Sequence, residues 1–169
     1  MVVELRPLTH GDAEAHCAGE DEATVRWLTG DYGTVEGARA HFDLLAENAA
    51  AGRGKRGFGV WTGGRLAGYV DFDPDVNDGL EPHDVNLSYA VHPWARGAGL
   101  ASQAVLAICQ HLREQGIGQR AAIRVEPENA ASVRVAESCG FRHVRRFTSS
   151  TDTRDDGSPV PLSVYVLDL

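Results

Sequence analysis

Lysine is almost missing from this chain: Lys55 stands alone beside fifteen arginines. No lysine is followed by Ser or Thr after a glycine run, which excludes the phosphate loop G-x-x-x-x-G-K-[ST]. Net positive charge is missing as well. The formal charge of −8 and pI near 5.3 argue against a duplex nucleic-acid partner, whose binding needs a basic face that releases counterions. No stretch of about twenty apolar residues occurs, so no helix is expected to cross a membrane. The opening M-V-V-E-L-R-P-L has no basic-then-apolar leader and reads as a strand. Cys17, Cys109 and Cys139 lie far apart without metal-ligand spacing, so no metal site is expected. Cys109 and Cys139 fall at or beside apolar helical positions and read as reduced residues of a cytoplasmic protein.

What is present is ordinary for a globular chain: 169 residues, 43% hydrophobic and 24% charged. That length fits a single domain spanning 1–169. Alternation marks strands at Val3–Leu8, Gly57–Thr62, Arg65–Asp73, Asp84–Val91, Ala121–Val125, Phe141–Thr148 and Val160–Leu167. Gly63-Gly64 closes a hairpin, and Ser149–Ser158 reads as a polar loop. Helical periodicity predicts helices from near His10, over Glu20–Leu28, Val35–Ala51 and Leu100–Gln115, and over Asn129–Cys139. The hairpins imply antiparallel pairing, and the two late helical crossovers imply some parallel pairing. The expected fold class is α+β, a mixed, twisted sheet of six to seven strands with helices on both faces.

Two segments carry chemistry. Val91 to Ala101 reads V-H-P-W-A-R-G-A-G-L-A: a strand end, a proline turn, Arg96, two glycines, then a helix. Gly97 and Gly99 let the backbone approach a ligand. The helix start aims unpaired N–H groups and its positive dipole end at the turn, and Arg96 adds a cation. Such a turn cradles a pyrophosphate. The dinucleotide pattern G-x-G-x-x-G fails, because Gly97-Ala98-Gly99 runs on into Ala101-Ser102 without a third glycine. The second segment, Glu128 to Phe141, reads E-N-A-A-S-V-R-V-A-E-S-C-G-F. Asn129 is a good N-cap, Ala130, Val133, Val135 and Ala136 form an apolar stripe, and Gly140 suits the helix end.

In this order and spacing the two segments resemble the acetyl-CoA turn and the N-x-x-S-x-x-V-x-x-x-x-G-F block of the GNAT N-acetyltransferase superfamily. The resemblance is nearest to the RimJ/RimL type, which acetylates ribosomal-protein N-termini. It covers most of the chain, strongest from Val85 to Phe141 and weakest before Gly57. It implies direct attack of a primary amine on the thioester of acetyl-CoA. By resemblance Arg96, Gly97, Ala98, Gly99, Leu100 and Ala101 hold the pyrophosphate. The backbone of Tyr89, Ala90 and Val91 pairs with the pantetheine arm, Asn129 bonds that arm from the other side, and Ser132 donates to the leaving thiolate.

The base is where the chain departs from the family, which often has E-I-G-Y-x-L before the turn. Here the register gives Asn86-Leu87-Ser88-Tyr89-Ala90-Val91, and Asn86 accepts no proton. Either the amine arrives already neutral, or Asp84, His83, Asp71 or Glu81 substitutes, with Asp84 ranked first because it shares the face of Asn86. The segment 71–84 holds six carboxylates with no Lys or Arg, lacks EF-hand spacing, and is expected to draw a cationic amine. The clusters Arg53-Gly54-Lys55-Arg56 and Arg142, Arg145, Arg146 read as solvated surface with a reserve for the adenosine phosphate of CoA. Alternatives to an N-terminal acetyltransferase are an aminoglycoside, antibiotic or other small-amine acetyltransferase, and a non-catalytic acyl-CoA sensor. A homodimer is implied by the family.

Overall fold

Seven strands line up as one open sheet in the order β1-β2-β3-β4-β5-β7-β6. They are β1 (Glu4–Arg6), β2 (Arg56–Thr62), β3 (Arg65–Asp73), β4 (Asp84–Val91), β5 (Arg120–Val125), β6 (Arg142–Thr153) and β7 (Pro159–Asp168). The computed structural model describes residues 2–169. Every neighbouring pair is antiparallel except β4–β5. Five helices accompany the sheet: α1 (Ala13–Ala18), α2 (Glu22–Thr24), α3 (Val35–Ala51), α4 (Leu100–Gln115) and α5 (Ala130–Ser138).

The helices divide between the faces as their apolar stripes require. α4 buries Ala104, Val105, Ile108, Cys109 and Leu112 against Val60, Val70, Phe72, Val85 and Leu87, and Ala136 of α5 joins the same core. These strand residues share one parity, so their alternates (Tyr69, Asp71, Ser88 and Ala90) point to the opposite face. There α1 and α3 pack through Ala13, Ala38, Phe42 and Leu45, and His16 of α1 lies with its ring 5.1 Å from that of Tyr69.

Two elements differ from expectation. The segment 20–28 is a three-residue α2 followed by a π-type turn over Val25–Thr29, with Asp21 outside as the cap accepting from the Thr24 amide. The polar run Ser149–Thr153 is strand, not loop, and the turn is confined to 154–158. Asp78 explains the second. Its carboxylate accepts from Ser149 Oγ (2.7 Å), the Ser150 amide (2.9 Å), Ser150 Oγ (2.7 Å) and Thr151 Oγ1 (3.3 Å). The polar groups are thus satisfied internally, as burial demands.

Candidate active site

The parallel pair β4–β5 is registered only over Asp84↔Arg120, Val85↔Ala121 and Asn86↔Ala122. Beyond it β4 follows β3 to Val91 while β5 follows β7 to Val125. The strands therefore part in mid-sheet, at their carboxyl ends, where open α/β sheets take ligands. A cleft of about 1880 Å³ occupies this gap, lined by Leu87–Val91 of β4 and Ile123–Val125 of β5 among others. It exceeds the roughly 300–1,000 Å³ of a pocket for one drug-sized ligand, leaving room for a long donor and an acceptor.

The turn before α4 closes one end of the cleft. Gly97 and Gly99 take φ of 80° and 73°, and a Cβ at either would meet nothing within 4 Å. The turn thus faces open space. The first α4 bond is donated by the Gln103 amide to Gly99 O, and no side chain caps the helix. The amides at the head of this four-turn helix are free for an anion, so the residues present fit a pyrophosphate. Arg96, Gly97, Gly99, Leu100 and Ala101 line the cleft, whereas Ala98 does not. Leu100 packs its side chain on Ala67 and Ala95 and can offer only its amide. Arg96 also ties the turn to the cap of α2, donating to Asp21 at 2.5 and 2.9 Å, and to Val91 O at 3.0 Å. Hydrogen bonding from Arg96 holds the Asp21 carboxyl far below its ordinary range.

Across the gap, Tyr89 Oη and Ser132 Oγ lie 2.7 Å apart, either hydroxyl able to donate. Asn129 Oδ1 accepts from the Ser132 amide at 3.2 Å, fixing Ser132 in the first turn of α5. Burial pushes the Tyr89 phenol up to about 12, so it stays protonated as a donor, its bond to Ser132 pulling the other way. The resemblance implies only a backbone role for Tyr89, and α5 (Ala130–Ser138) itself contains no tyrosine. A strand tyrosine of the parity of Leu87 supplies that hydroxyl from across the cleft.

Asp84 does not reach the cleft. It shares the parity of Asn86 but sits at the closed start of β4, 2% exposed. Arg120 Nε and Nη2 donate to its two oxygens at 2.7 and 2.9 Å, and the Glu81 amide adds a third bond. A carboxylate so occupied is a structural ion pair, and the base must be sought elsewhere. His83 and Glu81 are exposed outside the cleft, Glu81 paired with Arg145 at 2.8 Å. Asn86 Oδ1 accepts from Arg124 Nε at 3.1 Å.

The segment 71–84 is also not the uncompensated acidic loop its composition describes. Lys55 stands 3.8 Å from Asp71, Arg124 2.9 Å from Asp78, Arg120 on Asp84 and Arg145 on Glu81. The cations come from 16–64 residues away in sequence, so a window on 71–84 could not reveal them. Lys55 is thereby drawn inward rather than left as solvated surface. Of the four substitutes for the base, only Asp71 lines the cleft. Among the described residues no group of three or more His, Cys, Asp or Glu is placed to hold a metal, and no helix is long and apolar enough to cross a membrane.

With this geometry in place, comparison with known proteins is direct. The family model described as Acetyltransferase (GNAT) domain matches residues 3–142. No curated protein matches the sequence. Among solved structures, the Salmonella typhimurium acetyl transferase that modifies the N-terminal serine of ribosomal protein L7/L12 aligns with TM-score 0.83 at 20% identity, covering 100% of this chain and 96% of its own. RimL in complex with coenzyme A aligns with TM-score 0.83 at 19% identity, covering 100% and 95%. Mycobacterium smegmatis RimJ with CoA-disulfide aligns with TM-score 0.81 at 23% identity, covering 98% and 81%. At these identities the structures share the fold with this chain. The match of the family model over most of the sequence makes the chain a member of the GNAT acetyltransferases, enzymes that use acetyl-CoA.

Proposed function

We propose that the protein transfers the acetyl group of acetyl-CoA to the α-amine of a protein or peptide by direct attack. The observation that carries this is the Tyr89–Ser132 hydroxyl pair spanning the parted strands beside the α4 turn. In this reading Arg96, Gly97, Gly99, Leu100 and Ala101 seat the pyrophosphate, chiefly on backbone amides, with Ala98 outside the cleft. The freed edge of Tyr89–Val91 takes the pantetheine arm as an added strand. Asn129 holds Ser132, and Tyr89 backs it, so that a hydroxyl donor faces the sulfur as negative charge develops there. The acceptor class is supported by RimL and RimJ standing among the structural neighbours. Residence in the cytoplasm is supported by three unpaired cysteines, and a homodimer belongs to the same reading.

A competition panel tests the acceptor class. The purified chain and acetyl-CoA would be offered unblocked peptides starting in Ser, Ala or Met, the same peptides N-terminally blocked but carrying a lysine, and small amines including an aminoglycoside. The expected result is acetylation of unblocked peptides at the α-amine with the highest kcat/KM. A small amine preferred by tenfold or more would replace this acceptor with a small-molecule one.

A further inference from the structure

The cleft continues through the sheet to the face covered by α1 and α3, where the floor is unusually bare. Gly57 of β2 stands opposite Asp71 of β3, and Asp71 stands opposite Ser88 of β4. A Cβ on Gly57 would fall 2.8 Å from Asp71 Cβ, so the missing side chain is what gives the carboxyl room. The Asp71 side chain is more than nine-tenths buried, yet Oδ1 has no hydrogen-bond partner and Lys55 Nζ stops 3.8 Å short of it. His16, whose ring lies 5.1 Å from that of Tyr69, lines the same cleft, and its buried Nδ1 is likewise without a hydrogen-bond partner. Buried polar atoms are rarely left unpaired. Two of them lining one cavity call for a polar ligand, and the Asp71 oxygen calls for a donor.

We propose that Asp71 is the proton acceptor of the reaction, receiving the ammonium of the acceptor amine on the α1/α3 face of the parted strands. This rests on the acetyl-transfer reading above. Opposed residues of an antiparallel pair sit about 4.5–5.5 Å apart, so the Asp71 carboxyl adjoins Ser88, two positions past the last β4–β5 pair. Tyr89, the next residue, turns its hydroxyl to Ser132 on the opposite face. The proton acceptor and the thiolate donor thus flank the gap from its two sides. Asp71 takes one ammonium proton, and the lone pair so freed forms the N–C bond at the thioester carbonyl. On collapse the C–S bond breaks with its electron pair going to sulfur. The nitrogen's second surplus proton is lost by way of solvent, the thiolate is protonated through the Ser132–Tyr89 pair, and Asp71 returns its proton to water.

The surroundings suit that role. Burial pushes the Asp71 carboxyl up to about 6, with Lys55 opposing and Asp73 adding to the rise. Burial also keeps Tyr69 protonated and lowers His16 and His41, so both imidazoles are neutral near pH 7. Lys55 and Asp73 are then the charged groups acting on it, while Glu20 acts on Tyr69 and His16. A base near 6 is ionised at neutral pH and still takes a proton readily.

Asp71→Asn decides the matter, with an unblocked seryl pentapeptide as probe. At pH 7, kcat/KM for the peptide should fall at least a hundredfold, within the range of about 10²–10⁴ for general-base catalysis, while the dissociation constant for acetyl-CoA stays within twofold. The wild-type profile should rise through an acid limb near pH 6, and the variant should lose that limb, its rate climbing only with the free amine. The variant's melting temperature should equal or exceed the wild type, because a buried carboxylate whose Oδ1 accepts no hydrogen bond opposes folding. Carbon-13 titration of the wild-type Asp71 carboxyl should give a midpoint near 6. An unchanged acid limb, a rate within threefold of wild type, or a lowered melting temperature with the limb intact would overturn the assignment. Wild type inactive on every amine would overturn the acetyl-transfer reading itself.

Discussion

Gly99→Val and Gly116→Val form a matched pair at the two ends of α4, differing only in what lies beyond the backbone. Both glycines are left-handed, at φ 73° and 66°, and at neither would a Cβ meet any atom within 4 Å. The conformational cost of a side chain there is about 1–2 kcal/mol in each variant. For a chain of this size about 2–4 °C of melting temperature goes with each kcal/mol, so both should melt about 2–8 °C lower. Only Gly99 faces the cleft. Its new methyls would stand where the proposed function seats the diphosphate, removing at least one charge-assisted hydrogen bond, worth about 1.5–3 kcal/mol. The Kd for CoA should rise on the order of ten- to a hundredfold in Gly99→Val and stay level in Gly116→Val. Isothermal titration calorimetry with CoA, alongside thermal melts, reads both quantities. Equal CoA affinity in the two variants would remove the α4 turn from the donor site, and equal loss in both would reduce the effect to stability.

Ser132→Ala should lower kcat on the order of tenfold to a hundredfold with little change in KM for acetyl-CoA. Tyr89→Phe should act in the same direction, and the double variant should fall short of the product, since the hydroxyls share one bond. Asp84→Asn should cost about 3 kcal/mol by stranding Arg120, seen as a lower urea midpoint with CoA affinity of the folded protein unchanged. Burial raises the Asp78 carboxyl, but the Ser150 amide, the Ser149 and Ser150 hydroxyls and Arg124 outweigh it and hold it at about 2. A depressed folded value means a contribution complete above the unfolded value near 4 and lost as pH falls toward about 2. Urea midpoints between pH 5 and 2 should therefore drop more steeply in wild type than in Asp78→Asn.

The parts legible in the sequence are those whose signal is local. The α4 turn announces itself through Arg96, two glycines and an apolar helix, and α5 through its Asn129 cap and its stripe. Both elements stand where the pattern puts them. What the sequence hid depends on partners far along the chain. Parity ranked Asp84 first, but depth along β4 and the arrival of Arg120 decided against it. The Ser149–Thr153 run looked like a loop because Asp78, which satisfies it, lies about seventy residues earlier. The Tyr89 hydroxyl meets its partner Ser132 only because α5 lies across the gap. The same holds for Asp71, whose room follows from a glycine on a neighbouring strand.

Amine-dependent release of free CoA, followed with a thiol reagent and matched to mass analysis of the acceptor, tests acetyl transfer most directly. Wild-type protein with acetyl-CoA should release thiol only when an amine is present, with one acetyl group gained on the amine per thiol formed. Tight CoA binding without thiol release on any amine, peptide or small, would contradict the account and leave an acyl-CoA sensor in its place.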